Sequence, residues 1–539
     1  MNPIQAHLAP IFCNHCVLQQ NKPIHIWGRG PASTIVSLKL LDESGPLLSA
    51  SPEYTISEKE TFFLTLPPVS AGGPFVLQFF VNQMPVQEIS DVMVGEVFLA
   101  GGQSNMEFMV KQDADYASLK PFSSGIRMFQ VPRIAFFDDS YEEKLSRTHW
   151  SLTSDADFDE GSAVAYYFAD KLSGELNVPV GIICCNWGGT SASAWQDQET
   201  LVSSPETLSY WEEYKAYADS KSLEEHWKDR EDYLAYQETW QPRIDAFYAE
   251  HPNGTWEEAL AFAGECRWPG PVGPFHEFRP CGLYETMLKA VTPYTLAGII
   301  YYQGESDDHK PHSYYTLLKN MIALWRRQFL AETLPFCHVL LPMHRYANDA
   351  PNHKWCYIRD AQLRLYREGV CNGLAVCIDQ GEYNNIHPVH KKEVGRRLAL
   401  QVLSNVYHRI PDSEANGPFL QTARLTGQGV VLSFQYAEQG FLFRSSTSST
   451  FSPAGEHLSE ISGFELSEDN LAFVPAQVTQ ITGNTVMICA KKITSPAYVR
   501  YLHTDYGDVT LYGINRLPAA PFISQPISHP CFQSSYPEA

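Results

Sequence analysis

Along residues 1 to about 90, apolar and polar positions alternate with a period of two. Ile24, Ile26, Val36 and Leu38 mark such runs, and 62–66 and 75–81 continue them, with Gly72-Gly73-Pro74 as a break. No helical period interrupts this pattern, so it predicts a small β-domain. From about residue 91 the pattern changes. Five short runs, 94–100, 180–185, 296–302, 336–341 and 374–378, are continuously apolar, as expected of strands covered on both faces. Helical periods lie between them: 162–172, the set Tyr314, Leu317, Leu318, Met321, Ile322 and Trp325, and 394–406 with Leu398 and Val402 four apart. This alternation predicts an α/β domain over 91–408, with a five-stranded parallel sheet and helices on both sides. Residues 200–275 break it. They are rich in Glu, Trp and Tyr and then in Pro and Gly, which reads as amphipathic helices and a loop inserted between strands. From 409 to 539 short alternating runs return (429–434, 485–489, 497–502), a second β-rich domain.

Composition narrows the function classes. The 539 residues carry 39 basic and 61 acidic side chains, a net charge of −22 at pH 7. Such an excess of acid disfavours a nucleic-acid partner and an anionic membrane surface. No apolar run approaches the ~18 residues that span a bilayer. The start MNPIQAHLAPIF has neither a basic n-region nor a sustained apolar h-region, so no secretory leader and a cytoplasmic location are expected. Twelve scattered cysteines, two of them adjacent (Cys184, Cys185), read as reduced thiols. Cys13 and Cys16 form a C-x-x-C pair with no second pair at zinc-site spacing, so no metal is assigned. Homo-oligomerisation is left open.

Four of the five apolar runs end in polar clusters, and in a parallel sheet those ends lie along one edge, where ligands bind. After 94–100 comes Gly101-Gly102-Gln103-Ser104-Asn105-Met106. Ser104 there is either a nucleophile whose own N–H faces an oxyanion or an ordinary helix N-cap. After 180–185 comes Asn186-Trp187-Gly188-Gly189-Thr190, which serves either as an oxyanion-binding backbone or as a tight turn. After 296–302 comes Gln303-Gly304-Glu305-Ser306-Asp307, where Gln303 is either an oxyanion donor or solvated loop. After 374–378 come Asp379 and then Ile386-His387-Pro388. His387 is either the general base for Ser104 or a satisfied loop residue.

Together these blocks resemble the sialate O-acetylesterase family of the SGNH hydrolases. DVMVGEVFLAGGQSNMEF is similar to its nucleophile block, and VPVGIICCNWGGTSASAW, LAGIIYYQGESD and IHPVHKKEVGRRLA follow in order. FCNHCVLQQNKPIHIWG resembles the family's start and VRYLHTDYGDVTLYGINRLPAAPF its end, so only 200–275 stands apart. The resemblance implies a three-layer, flavodoxin-like core. It also implies Ser104 as nucleophile, His387 as base, and the N–H groups of Ser104 and Gly189 with the Gln303 side chain as oxyanion hole. No metal or organic cofactor is implied. Many SGNH enzymes carry an Asp three residues before the His; here that position is Asn384. Three arrangements stay open: a Ser–His dyad helped by a backbone carbonyl, Asp379 as acid, or Glu382. The dyad with Asp379 as provisional acid is preferred. The expected activity is removal of O-acetyl groups from sialic acid. Acetylated xylan or another neutral glycan is the alternative substrate, and a glycan-binding protein with an inert core the alternative class.

Overall fold

The computed structural model describes residues 6–251, 254–346 and 354–528. Its central element is a single 19-residue strand, β1 (Met84–Gly102). The first half is mostly exposed, with Ile89 and Val92 buried, and pairs antiparallel with Gly72–Val81; the second half, from Val94, is wholly buried. The change from alternation to a continuous apolar run is therefore one strand leaving a half-exposed sheet for a covered one. No break in secondary structure marks residue 90.

Around β1 the core sheet is built from β2 (Ile126–Gln130), β3 (Trp150–Leu152), β4 (Val180–Asn186), β5 (Gly298–Tyr302), β6 (Phe336–Leu340) and β7 (Gly373–Val376), in the order β3-β2-β4-β1-β5-β6-β7. Only the β2–β3 pairing is antiparallel. The parallel part thus has six strands where five were expected. The extra one, β2, is hidden in sequence by Arg127. Its buried guanidinium donates to the carbonyl of His15 and to Asp91 Oδ1, both at 2.9 Å, so the charge in this covered strand is met by partners inside the fold.

The longer helices are α1 (Ala163–Leu176), α2 (Pro205–Ala218), α3 (Leu223–Glu250), α4 (Trp256–Ala263), α5 (Tyr314–Gln328), α6 (Lys354–Arg367) and α7 (Lys392–Asn405). Side chains alternate across a strand, so Phe98 and Gly101 on β1 face opposite ways. Phe98 meets Phe168 of α1 with ring centroids 4.9 Å apart, and an added Cβ on Gly101 would lie 3.0 Å from Trp325 of α5. Helices α1 and α7 pack together on one face, α5 and α6 on the other. The α1–α7 contact is close: a Cβ on Gly395 would lie 2.5 Å from the carbonyl oxygen of Val164. Helices α2 to α4 form the insertion between β4 and β5, as the Glu- and aromatic-rich pattern predicts. A capping box between Ser222 and Glu225 starts α3. No described helix is long and apolar enough to cross a membrane.

The flanking β-regions pack on the core rather than hang from it. In the C-terminal region Phe419, Leu432, Phe464 and Phe522 share one apolar cluster with Leu340, Leu374 and Val376 of β6 and β7. At the other end Trp150 of β3 is fully buried. Its indole N–H donates to the carbonyl of Ile11 at 2.9 Å, and its ring lies 5.6 Å from that of Phe129. Trp150→Ala removes the packing and leaves that carbonyl unpaired, and is expected to cost about 4 kcal/mol in urea unfolding. A loss below about 1 kcal/mol would show that the N-terminal segment is held elsewhere.

Candidate active site

The carboxyl ends of β1, β4 and β5 and the loop after β7 meet at one edge of the sheet. At the end of β1, Gly102 has φ +138°, and a Cβ there would lie 2.1 Å from the carbonyl oxygen of Tyr302, so only glycine fits. The chain then turns into the short helical segment Ser104–Glu107, whose first residue is the expected nucleophile. The Ser104 hydroxyl lies 2.8 Å from His387 Nε2, although the residues are 283 positions apart.

The backbone N–H groups of Ser104 and Gly189, two residues lining the same cavity as His387, make no hydrogen bond among the described residues. The intervening Gly188 N–H is taken by Glu107 Oε2, whose other oxygen pairs with Arg133. Glu107 thereby fixes the Gly188-Gly189 turn against the nucleophile segment. Gly189 has φ +75°, and a Cβ on it would lie 2.4 Å from the ring of Phe278.

Gln303 departs from expectation. Its Nε2 donates to Asp307 Oδ2 at 2.6 Å and to the Thr190 carbonyl at 3.3 Å, and its Oε1 accepts from Tyr314. Both amide protons are spent inside the protein, so no donor remains for an oxyanion. Gln303 instead holds Asp307, which also accepts from Ser191, Ala192 N–H and the Tyr210 hydroxyl of α2. Asp307 is thus the anchor between the sheet edge and the insertion.

Asp379 also departs. Its buried carboxylate accepts two hydrogen bonds from Arg397 of α7, at 2.5 and 3.0 Å, and Arg444 lies 3.5 Å away. These guanidinium groups outweigh burial and hold the Asp379 pKa below the usual carboxylate range. It is a structural ion pair and makes no hydrogen bond to His387. Glu382 is also engaged: it accepts from Asn385 Nδ2 at 2.7 Å and from Val389 N–H at 2.9 Å, bracing the loop that carries His387. Asn384, at φ +62°, donates its N–H to the carbonyl of Arg345. Among the described residues, no carboxylate hydrogen-bonds to His387.

Three residues given no role from sequence organise the site. Asn105, next to the nucleophile, is almost fully buried. Its Nδ2 donates to Glu305 Oε1 at 2.7 Å and to the Ile386 carbonyl at 3.0 Å, and its Oδ1 accepts from Lys391 Nζ at 2.6 Å. Burial pushes the Lys391 pKa down to about 7 and raises that of Glu305. Burial, followed by the charges of Lys391 and His344, lowers His387 to about 4. The imidazole is therefore neutral at pH 7, the form that can accept a proton from a hydroxyl. Asn105, Glu305 and Lys391 all lie inside the quoted motif blocks, but their roles depend on contacts between blocks. The cavity above Ser104 and His387 has a volume of about 1320 Å³.

The sequence pattern of the family described as carbohydrate esterase, sialic acid-specific acetylesterase, matches residues 94–214 and 275–404. The core of this chain belongs to that carbohydrate esterase family. The match omits 215–274, most of the insertion. The chain is 25% identical to the sialate O-acetylesterase of Mus musculus, over 96% of this chain and 93% of the relative. It is 21% identical to that of Homo sapiens, over 79% and 76%. The fold matches the crystal structure of a carbohydrate acetylesterase from Xanthomonas citri with a TM-score of 0.71 and 24% identity, over 96% of this chain and 99% of that one. The family accounts for an esterase hydrolase acting on acetylated carbohydrate, and the N- and C-terminal regions lie outside its pattern.

Two expectations follow for the family member's site. Asp379→Asn leaves Arg397 buried without its charge partner and should cost about 3 kcal/mol of stability. The folded variant should keep kcat within a few-fold, whereas loss of a triad acid costs ~10⁴-fold; a loss of that size without destabilisation would restore Asp379 as the acid. Because the base acts when neutral, kcat/KM should stay level from pH 7 to about pH 5 and fall below about pH 4. Lys391→Met removes a charge that opposes the imidazolium, so it should move this acid limb to higher pH. A limb that stays in place would separate Lys391 from the base.

Proposed function

We propose that the protein is a serine esterase that hydrolyses O-acetyl esters of carbohydrate through an acetyl-enzyme. The observation that carries this reading is the 2.8 Å contact between Ser104 Oγ and His387 Nε2, beside the unpartnered N–H groups of Ser104 and Gly189. In the first step Ser104 Oγ attacks the acetyl carbonyl carbon while His387 Nε2 takes the hydroxyl proton. The carbonyl oxygen becomes an oxyanion between the two N–H groups, each donor of this kind being worth ~3 kcal/mol. The intermediate collapses by breaking the bond to the sugar oxygen, which receives the proton from His387. Water then gives its proton to His387, attacks the acetyl-serine and releases acetate, restoring both residues.

The pair acts as a dyad. Among the described residues no carboxylate steadies its base, in line with the position of Asn384; desolvation and the nearby Lys391 and His344 favour the neutral ring. Sialic acid as the acetylated sugar is suggested by the names of the curated relatives. An uncharged glycan is favoured by the character of the cavity wall, taken up below. The inert-core alternative is disfavoured by the aligned Ser104–His387 pair. Ser104→Ala is expected to lower acetate release from acetylated sugars by about 10⁴-fold or more while leaving unfolding unchanged. Covalent labelling of Ser104 by an organophosphonate, read by mass spectrometry, should disappear in the same variant. Wild-type turnover in the variant would overturn the mechanism.

A further inference from the structure

We infer that the insertion builds a binding wall for an uncharged oligosaccharide chain, so that the acetyl group removed from Ser104's substrate sits on a neutral glycan and not on an anionic sugar. This rests on the esterase reading above and names the substrate class of that same site.

The first observation is charge. The acidic side chains lining the cavity are Glu213, Glu305 and Asp308; among the described residues, no Lys or Arg lines it. Lys310 lies just behind the wall but is not available. Its Nζ sits 2.8 Å from Glu213, 2.9 Å from Ser209 Oγ and 4.5 Å from the ring centre of Tyr210. Recognition of a carboxylate calls for a guanidinium, an ammonium or a cluster of N–H donors. A carboxylate placed here would meet acidic side chains and, among the described residues, no lining cation to pair with, which discriminates against it.

The second observation is the aromatic surface. Tyr214 and Tyr217 of α2, Trp268 and Phe278 line one side of the cavity. Trp268 is 59% exposed, although it packs edge-on against Phe278, the ring that abuts Gly189. A large exposed indole beside a reaction centre is a stacking platform for the apolar face of a sugar ring.

The third observation is rigidity. The segment bearing Trp268 is tied to α3 at several points. Arg230 donates to the Phe275 carbonyl at 2.6 Å, and Tyr236 donates to the Glu265 carbonyl at 2.7 Å. A Cβ on Gly270 would lie 2.8 Å from the ring of Tyr233. His276 Nε2 lies 2.8 Å from the Pro269 carbonyl oxygen. A platform held in this way binds without first being ordered. The cavity, at about 1320 Å³, also exceeds the roughly 300–1,000 Å³ of ordinary small-ligand pockets, which leaves room for several sugar units. Tyr217 and Trp268–Val272 fall in the stretch the family pattern does not match, whereas Tyr214 and Phe278 lie within the matched segments, so the wall is built where the insertion meets the core.

The test compares kcat/KM for acetate release from acetylated xylo-oligosaccharides of increasing length, from 9-O-acetylated sialic acid and from an aryl acetate that does not need the wall. The wild-type protein should prefer the oligosaccharides to the sialate by at least tenfold and improve with chain length. Trp268→Ala should lose at least tenfold more on the longer oligosaccharides than on the aryl acetate, chiefly through KM. Glu213→Gln, which uncovers the Lys310 ammonium, should narrow the gap to the sialate. Equal or better turnover of the sialate, or a Trp268→Ala loss that is the same on all substrates, would overturn the wall while leaving the esterase mechanism intact. If even the aryl acetate showed no Ser104-dependent hydrolysis, the esterase reading would fall, and this inference with it.

Discussion

The side-chain amide of Asn105 is the joint on which the active site depends. One small group, nearly sealed from solvent, bonds to Glu305, to the Ile386 carbonyl and to Lys391. These partners come from two other polar blocks, so a single residue beside the nucleophile brings three chain segments to a common origin. Hydrogen bonds in such a setting are worth more than in water, and an unmade one costs correspondingly more. The amide suits this place because it donates and accepts at once; a carboxylate could only accept, and a hydroxyl could not reach all three partners.

The same network shapes the chemistry. An imidazole with a carboxylate behind it gains from taking a proton, since the new charge is met at once. Among the described residues His387 has no carboxylate partner but the buried Lys391 nearby, and its surroundings favour the neutral ring. In the proposed mechanism such a base would be ready at neutral pH but weak, and more of the transition-state stabilisation would fall on the backbone N–H groups beside the Gly188-Gly189 turn, which Glu107 and Phe278 brace.

Much of this was legible in the sequence, for reasons that differ by level. The continuous apolar runs revealed five strands because burial on both faces leaves no polar position. The sixth escaped notice because Arg127 finds its partners in the chain near His15 and Asp91, which no local pattern encodes. That Ser104, Gly189 and His387 meet at one edge was legible because each lies beyond a strand end and strand ends converge. Gln303 and Asp379 are at that edge too, yet their side chains turn to Asp307 and Arg397. Position along the chain says which residues reach the edge but not which way they point once there. Asn105 and Lys391 were overlooked for the opposite reason, since their work lies wholly in contacts between blocks.

The length of β1 has a consequence for how the site is inherited by folding. Its outer half is registered against the N-terminal hairpin partner Gly72–Val81, its inner half against β4 and β5, and Ser104 follows two residues after its last. A strand turns every side chain over when it slips by one position. The irregular steps in the outer pairing, at Gly72, Phe75 and Phe79, take up mismatch between the two sheets before it reaches Val94. The N-terminal β-region is thus a buffered neighbour of the core strand: its irregular register lets that region drift without dragging Val94–Gly102, and Ser104 beyond them, out of step with the core sheet.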